Sequence, residues 1–119
     1  MSKNKGFSDT SAGRYSLALY ELAEENNSID EIEKNCSSII QLISNSQEFN
    51  YLIMDPTNKK EDQLKVIAKI FEQNKLNDLL KKFLSFLIFK RRFFYVEKNL
   101  LKFKVLYLML YLNLSLIVE

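Results

Sequence analysis

The chain has 119 residues, enough for one domain, with 47% hydrophobic and 27% charged side chains and a net charge of +2. Two glycines and one proline leave too few turn residues for a fold of β-hairpins, so composition points to an all-α protein. Histidine is absent and Cys36 is the sole cysteine, which removes the commonest general base and metal ligand and excludes an internal disulfide. Met1 to Lys5 is polar without an apolar core, so no secretory signal is expected. The next residues to Thr10 are also mostly polar, and Ser8, Asp9 or Thr10 can cap a first helix.

Ser11 to Asn26 is the stretch around which the rest is organised. Ala12, Tyr15, Leu19, Leu22 and Ala23 fall on one arc at helical spacing, with Arg14, Glu21 and Glu25 opposite. This helix uses alanine where a core helix usually has leucine, and small residues let another helix come close. It can therefore pack inward and still offer a shallow groove outward, although the pattern alone equally suits an ordinary bundle helix. Asn26-Asn27 ends it, and Ser28-Ile29-Asp30-Glu31 reads as a capping box. Behind that box, Ile29, Ile32, Cys36, Ile39, Ile40 and Ile43 recur at three- and four-residue steps. Cys36 sits on that stripe, which predicts a buried structural thiol, since no histidine is present to activate it.

Asn45-Ser46 breaks the pattern, and a short helix follows with Phe49, Leu52 and Ile53 inward. Asp55-Pro56 ends it, because the residue before proline avoids helical geometry. Asn58 with Glu61 suggests another cap, before a helix with Leu64, Ile67, Ala68 and Phe71 on one face and Lys59, Lys60, Lys65 and Lys69 around the rest. After a connection at Asn74 to Asn77, the fifth helix, Asp78 to Lys90, is apolar over about half its circumference, as a central bundle helix would be. Phe89 points into its polar arc. Lys90-Arg91-Arg92 follows at the C-terminus, where cations complement the backbone dipole.

The helical pattern resumes from Val96 through Leu100, Leu101 and Phe103 and then gives way to leucines at every second position from Leu106 to Leu116. Period two is a strand signal, but there is no second strand candidate to pair with it. The uncharged run from Val105 to Val118 is shorter than the roughly 20 residues of a membrane-spanning helix. The expectation is an apolar helix docked on the bundle or on a partner, and a solubility hazard when uncovered.

Two segments carry a family resemblance. Ala12-Gly13-Arg14-Tyr15 followed by Ala18-Leu19-Tyr20-Glu21-Leu22-Ala23 resembles the start of the delta subunit of proton-translocating ATP synthases, whose mitochondrial counterpart is the oligomycin-sensitivity-conferring protein. Leu84 to Phe93 is similar to the family's fifth helix and the motif after it, usually Asn-Arg-Arg-Leu or Asn-Gly-Arg-Leu; here Lys90 stands at the Asn position, Phe93 at the Leu position, and Arg92 matches. The resemblance spans Ser11 to about Lys104. It implies a six-helix N-terminal domain, and five or six helices are what the chain offers. The expected organisation is thus a helical bundle over 1–104 and an apolar tail over 105–119 that departs from the family's charged sixth-helix end, as in a truncated or frame-altered product. The family continues into a C-terminal domain that engages the peripheral stalk, so contact through that domain is not expected of this chain.

The same resemblance implies a non-catalytic stator subunit, peripheral on the cytoplasmic face of the bacterial plasma membrane, that binds the N-terminal helix of an alpha subunit on the catalytic head. In the family the first and fifth helices form the groove, which here nominates Tyr15, Ala18, Leu19 and Leu22 on one wall and Phe83, Phe86 and Phe89 on the other. No cofactor, metal or catalytic residue is expected, for the chain has no Gly-rich phosphate loop and no metal-ligand spacing. Charge leaves an alternative: residues 1–58 carry 4 basic and 9 acidic side chains against 13 and 6 over 59–119. Solvated helix faces account for this imbalance, but Lys81, Lys82, Lys90, Arg91 and Arg92 are also the residues a basic nucleic-acid-binding module would use. A membrane-surface role for the leucine-rich tail is a third reading.

Overall fold

A computed structural model describes residues 11–113, with side chains from Gly13 onward. The caps expected at Ser8, Asp9 or Thr10, the side chain of Ala12, and the end of the apolar tail from residue 114 lie outside the described residues. Among the described residues six α-helices follow one another: α1 Ser11–Glu25, α2 Ile29–Asn45, α3 Gln47–Met54, α4 Lys60–Asn74, α5 Asp78–Phe89 and α6 Val96–Leu106. A 3₁₀ turn, Phe93–Tyr95, leads into α6, and a π turn, Tyr107–Tyr111, continues it. No strand occurs among the described residues, so the chain is the all-α bundle that its composition predicts.

The joints show why the helices stop where they do. Asn27 takes a left-handed backbone (φ 53°), its N–H donates to the Glu24 carbonyl at 3.1 Å, and the Ser28 N–H donates to Ala23 at 2.9 Å. This is a Schellman ending, with asparagine at the left-handed position. It also removes the expected capping box. Ser28 is held at ψ 22° rather than extended and makes no side-chain cap; its hydroxyl donates back to the Ala23 carbonyl at 3.4 Å. Ser46 does act as a cap, accepting from the Phe49 N–H at 3.1 Å. The Asn58–Glu61 cap does not form, because α4 starts after Lys59 and the Asn58 amide donates to the carbonyls of Tyr51 and Leu52 at the end of α3. Asn77 accepts from the Leu79 N–H at 2.8 Å, while its own N–H donates to Asn35 on α2 at 2.7 Å.

α6 packs against both α1 and α2, and α4 against α5. The helix wedged between the two longest neighbours is therefore α6, not the more apolar α5. Its Val96, Leu100, Phe103 and Leu106 are all at most 1% exposed, whereas Leu101 faces outward. α5 buries Leu80, Phe83, Leu84, Leu87 and Ile88 on one side only. Of the expected core positions, Ile29, Ile32, Ile39, Ile43, Ile67, Leu80 and Leu84 are buried, and Leu64 is half-buried at the edge. Ala68 is exposed because α4 turns Gln63, Ile67, Ile70 and Phe71 inward. Cys36 is fully buried, and burial pushes its thiol pKa up, which leaves it an inert packing group.

Within the described residues the leucine alternation is helical as far as Tyr111, not extended. The backbone helix passes through Lys104 without a break, Leu106 is fully buried, and Leu108 and Leu110 are half-buried. In the wider π turn the Leu112 N–H reaches back to the Tyr107 carbonyl at 3.0 Å, and Tyr107 and Tyr111 stack with ring centres 5.4 Å apart. Both tyrosine hydroxyls donate to the Asp30 carboxylate, at 2.7 and 2.9 Å, and Lys104 pairs with Glu33 at 2.6 Å. The first part of the apolar run is thus fastened to α2.

Candidate partner-binding face

The inward face of α1 is formed by Gly13, Ser16, Leu19, Tyr20 and Ala23. Three of these are small, which lets α6 approach closely; the Ser16 hydroxyl donates to the Asn99 carbonyl on α6 at 2.8 Å, in a buried position. This buried arc is rotated relative to the apolar stripe legible in the sequence. Leu22, on that stripe, is 44% exposed, Tyr15 is half-buried, and Ala18 is exposed beside them. The bundle therefore satisfies α1 with small and polar residues and leaves part of its apolar stripe uncovered.

The uncovered stripe meets α5. Tyr15 and Phe86 touch edge to face, with ring centres 5.6 Å apart and planes at 89°, an arrangement favoured by the ring quadrupoles. Phe86 is 41% exposed and Phe89 60%, on the side of α5 that turns away from its own core. Around these two rings lies a shallow depression of about 490 Å³ shared with Asp78, Lys81, Lys82 and Ser85. The Lys90 ammonium stands 5.7 Å from the centre of the Phe86 ring, and Lys60 stands 6.0 Å from that of Phe89. Exposed aromatics under lysines make a surface both apolar and locally positive.

Of the seven residues nominated from the sequence, Tyr15, Ala18, Leu22, Phe86 and Phe89 reach the surface. Leu19 and Phe83 do not: they are 0% and 9% exposed and belong to the core beneath, so they support the face without offering it contact area. Lys60 was not singled out, and no local signal could have done so, since it comes from α4 and is brought to Phe89 by the packing of α4 on α5.

Three of the five basic residues of the nucleic-acid reading are engaged locally. Lys82 pairs with Asp78 at 3.7 Å, and Lys90 lies over Phe86. The Arg92 guanidinium donates to the carbonyls of Lys90 and Arg91 at the end of its own helix. Here too the chain makes a Schellman ending: Arg91 takes φ 58°, its N–H donates to Ile88 at 3.0 Å, and the Arg92 N–H donates to Leu87 at 2.8 Å. Phe93 then turns back into the core at 3% exposure. No cluster of metal-ligating side chains and no helix long and apolar enough to cross a membrane occurs among the described residues.

Comparison with known proteins identifies the family. The family model described as ATP synthase delta (OSCP) subunit matches residues 12–110. The ATP synthase subunit delta of Pelagibacter ubique (strain HTCC1062) is 69% identical over 103 residues, covering 87% of this chain and 56% of that protein. The ATP synthase subunit delta proteins of Clostridium botulinum strains Loch Maree and 657 are each 35% identical over 95 residues, covering 80% of this chain and 52% of theirs. The chain spans about half the length of the curated relatives it matches. It belongs to the ATP synthase delta (OSCP) subunit family.

Proposed function

We propose that this bundle is a non-catalytic stator unit of a proton-translocating ATP synthase, peripheral on the cytoplasmic face of the plasma membrane. It docks the N-terminal helix of an alpha subunit across α1 and α5. The observation that carries this reading is the rotation of α1, which buries Gly13, Ser16 and Ala23 and leaves Tyr15, Ala18 and Leu22 beside Phe86. Helix-in-groove recognition needs two adjoining helices with uncovered apolar side chains, and a few of these serve as anchors. The lysines over Phe86 and Phe89 suit an amphipathic helix with acidic residues along one border. Such a role holds the catalytic head still while the rotor turns and needs no reacting group in the bundle. A nucleic-acid-binding role draws no support from the family.

The test is calorimetric titration with an alpha-subunit N-terminal peptide. Ala18 is exposed, so Ala18→Glu places a charge in the groove without entering the core. Helical content and melting stay nearly unchanged, while peptide affinity falls at least ~100-fold, about 2.7 kcal/mol. Equal binding by wild type and Ala18→Glu would move the groove elsewhere, and a wild-type chain that ignores the peptide would refute the docking role.

A further inference from the structure

A second cavity, of about 400 Å³, opens where the end of α3, the start of α4 and the turn after α5 converge. It meets the α1/α5 face only at Lys60, whose ammonium stands over Phe89. Its size lies within the roughly 300–1,000 Å³ of small-molecule sites, and its walls are mainly apolar, which is the usual make-up of such sites.

The polar groups around it divide into two kinds. Asn58 and Gln63 are committed, donating to the carbonyls that close α3: Asn58 to Tyr51 and Leu52, and Gln63 to Leu52 at 2.9 Å. Asp55 is committed as well, since its carboxylate accepts from the Thr57 N–H at 2.9 Å and the Thr57 hydroxyl at 2.7 Å. The two cations, Lys60 and Arg91, are paired with no carboxylate among the described residues, although the Lys60 ammonium stands over the Phe89 ring. Arg91 is also fixed at its root, because the Schellman ending of α5 locks its left-handed backbone in place. The cavity thus joins an apolar interior to two positive charges in no ion pair, against one carboxylate whose Oδ1 is already held by Thr57.

We propose that this cavity binds a small amphiphilic monocarboxylate, its aliphatic or aromatic body lying against Met54, Phe93 and Phe94 and its carboxylate paired with Arg91 and Lys60. Charge complementarity decides the sign of the ligand, and the planar fork of arginine suits a carboxylate better than a lone acceptor.

The experiment is a nitrogen-15 NMR titration of the full chain with decanoate, kept below its micelle-forming concentration. Decanol and decyltrimethylammonium serve as chain-length-matched neutral and cationic probes. Decanoate should give saturable shifts centred on the amides of Met54 to Gln63 and Ile88 to Phe94, and each matched probe should bind at least about tenfold more weakly. The double variant Lys60→Gln, Arg91→Asn should weaken decanoate by about tenfold or more, while Arg91→Lys, which keeps the charge and loses the fork, should fall between it and the unaltered chain. Asparagine tolerates the left-handed backbone, so the double variant keeps the turn, and its unchanged amide spectrum away from the cavity verifies the fold. The proposal is overturned if decyltrimethylammonium binds as tightly as decanoate, if the double variant binds like wild type, if no saturable shift is seen, or if the shifts centre instead on Ala18, Leu22 and Phe86.

Discussion

On its α6 side, helix α1 presents Gly13, Ser16 and Ala23, all buried, and closes on its neighbour with a 2.8 Å hydrogen bond from Ser16 to the Asn99 carbonyl. On its α5 side it presents Tyr15, Ala18 and Leu22, and the junction is an edge-to-face contact between Tyr15 and a half-open Phe86. The first junction is short, polar at one point and sealed. The second is apolar, aromatic and open to solvent. The difference teaches that apolar content does not by itself locate a core: small residues give close packing and a fixed geometry, while larger apolar groups beside them stay open to solvent.

The largest expected effect breaks the sealed side. Leu100 and Leu106 are 0% exposed on α6, and replacing either with alanine should cost ~2–5 kcal/mol in chemical denaturation. A loss below ~0.5 kcal/mol would show that α6 is not the helix that closes the bundle. Ending the chain at Lys104 should likewise lower the melting temperature, because it removes Leu106 and both tyrosines bonded to Asp30. The apolar run is thus expected to trade solubility against stability, as a helix docked on the bundle would.

Two smaller changes sharpen the contrast. Ser16→Ala removes the buried link between α1 and α6 and should cost ~1 kcal/mol, with peptide binding at the α5 side unchanged; a matching loss of affinity would mean that the two faces of α1 are coupled. Arg91→Gly should act in the opposite direction. A non-glycine residue at φ 58° is strained by its Cβ, and glycine at the same helix ending is relaxed, so a gain of about 0.5–1 kcal/mol is expected in denaturant melts. The glycine variant of the family motif places glycine at this position. A loss of stability would show that the Arg91 side chain holds the turn through contacts worth more than the strain.

Much of this was legible in the sequence for a physical reason: the isoleucine ladder of α2 and the single-sided leucines of α5 are periodic, and burial follows periodicity. The endings at Asn27, Ser46 and Asp55 were legible too, since asparagine, serine and Asp-Pro each have a local conformational bias. What failed depended on partners distant in sequence. One exception is local: Ser28 does not cap α2, because the ending of α1 carries its N–H to the Ala23 carbonyl and its hydroxyl donates to the same oxygen. Leu19 and Phe83 are nominated for the groove, yet both are buried: Leu19 shares the face of α1 that Ser16 fastens to Asn99, 83 positions away, and Phe83 lies on the core side of α5. The role of α6 was hidden because a buried polar residue, Asn99, interrupts its apolar stripe and a π turn changes its period.

The smallest expected effect concerns pH, at the π turn where the sealed side ends. Asp30 is held below its ordinary 3.8, first by the hydrogen bond from Tyr107 and then by that from Tyr111. Donating to that carboxylate pushes Tyr107 from 10.0 up to about 12. The two shifts act at opposite ends of the scale. A depressed carboxylate contributes stability that is full above 3.8 and is lost as pH falls through the lowered value. A raised tyrosine contributes stability that is full below 10.0 and is lost as pH rises toward about 12. The turn should therefore stay docked on α2 from roughly pH 5 to 9 and loosen on either side. Because these groups face solvent, the change should be local, visible in the ring resonances of Tyr107 and Tyr111 rather than in the global melt. Asp30→Asn should return the Tyr107 titration toward 10.0 and abolish the acid-side loosening, while Lys104 still bridges to Glu33. A Tyr107 ring that titrates at 10.0 in the unaltered chain would remove the hydrogen bond, and with it the attachment of the π turn to α2.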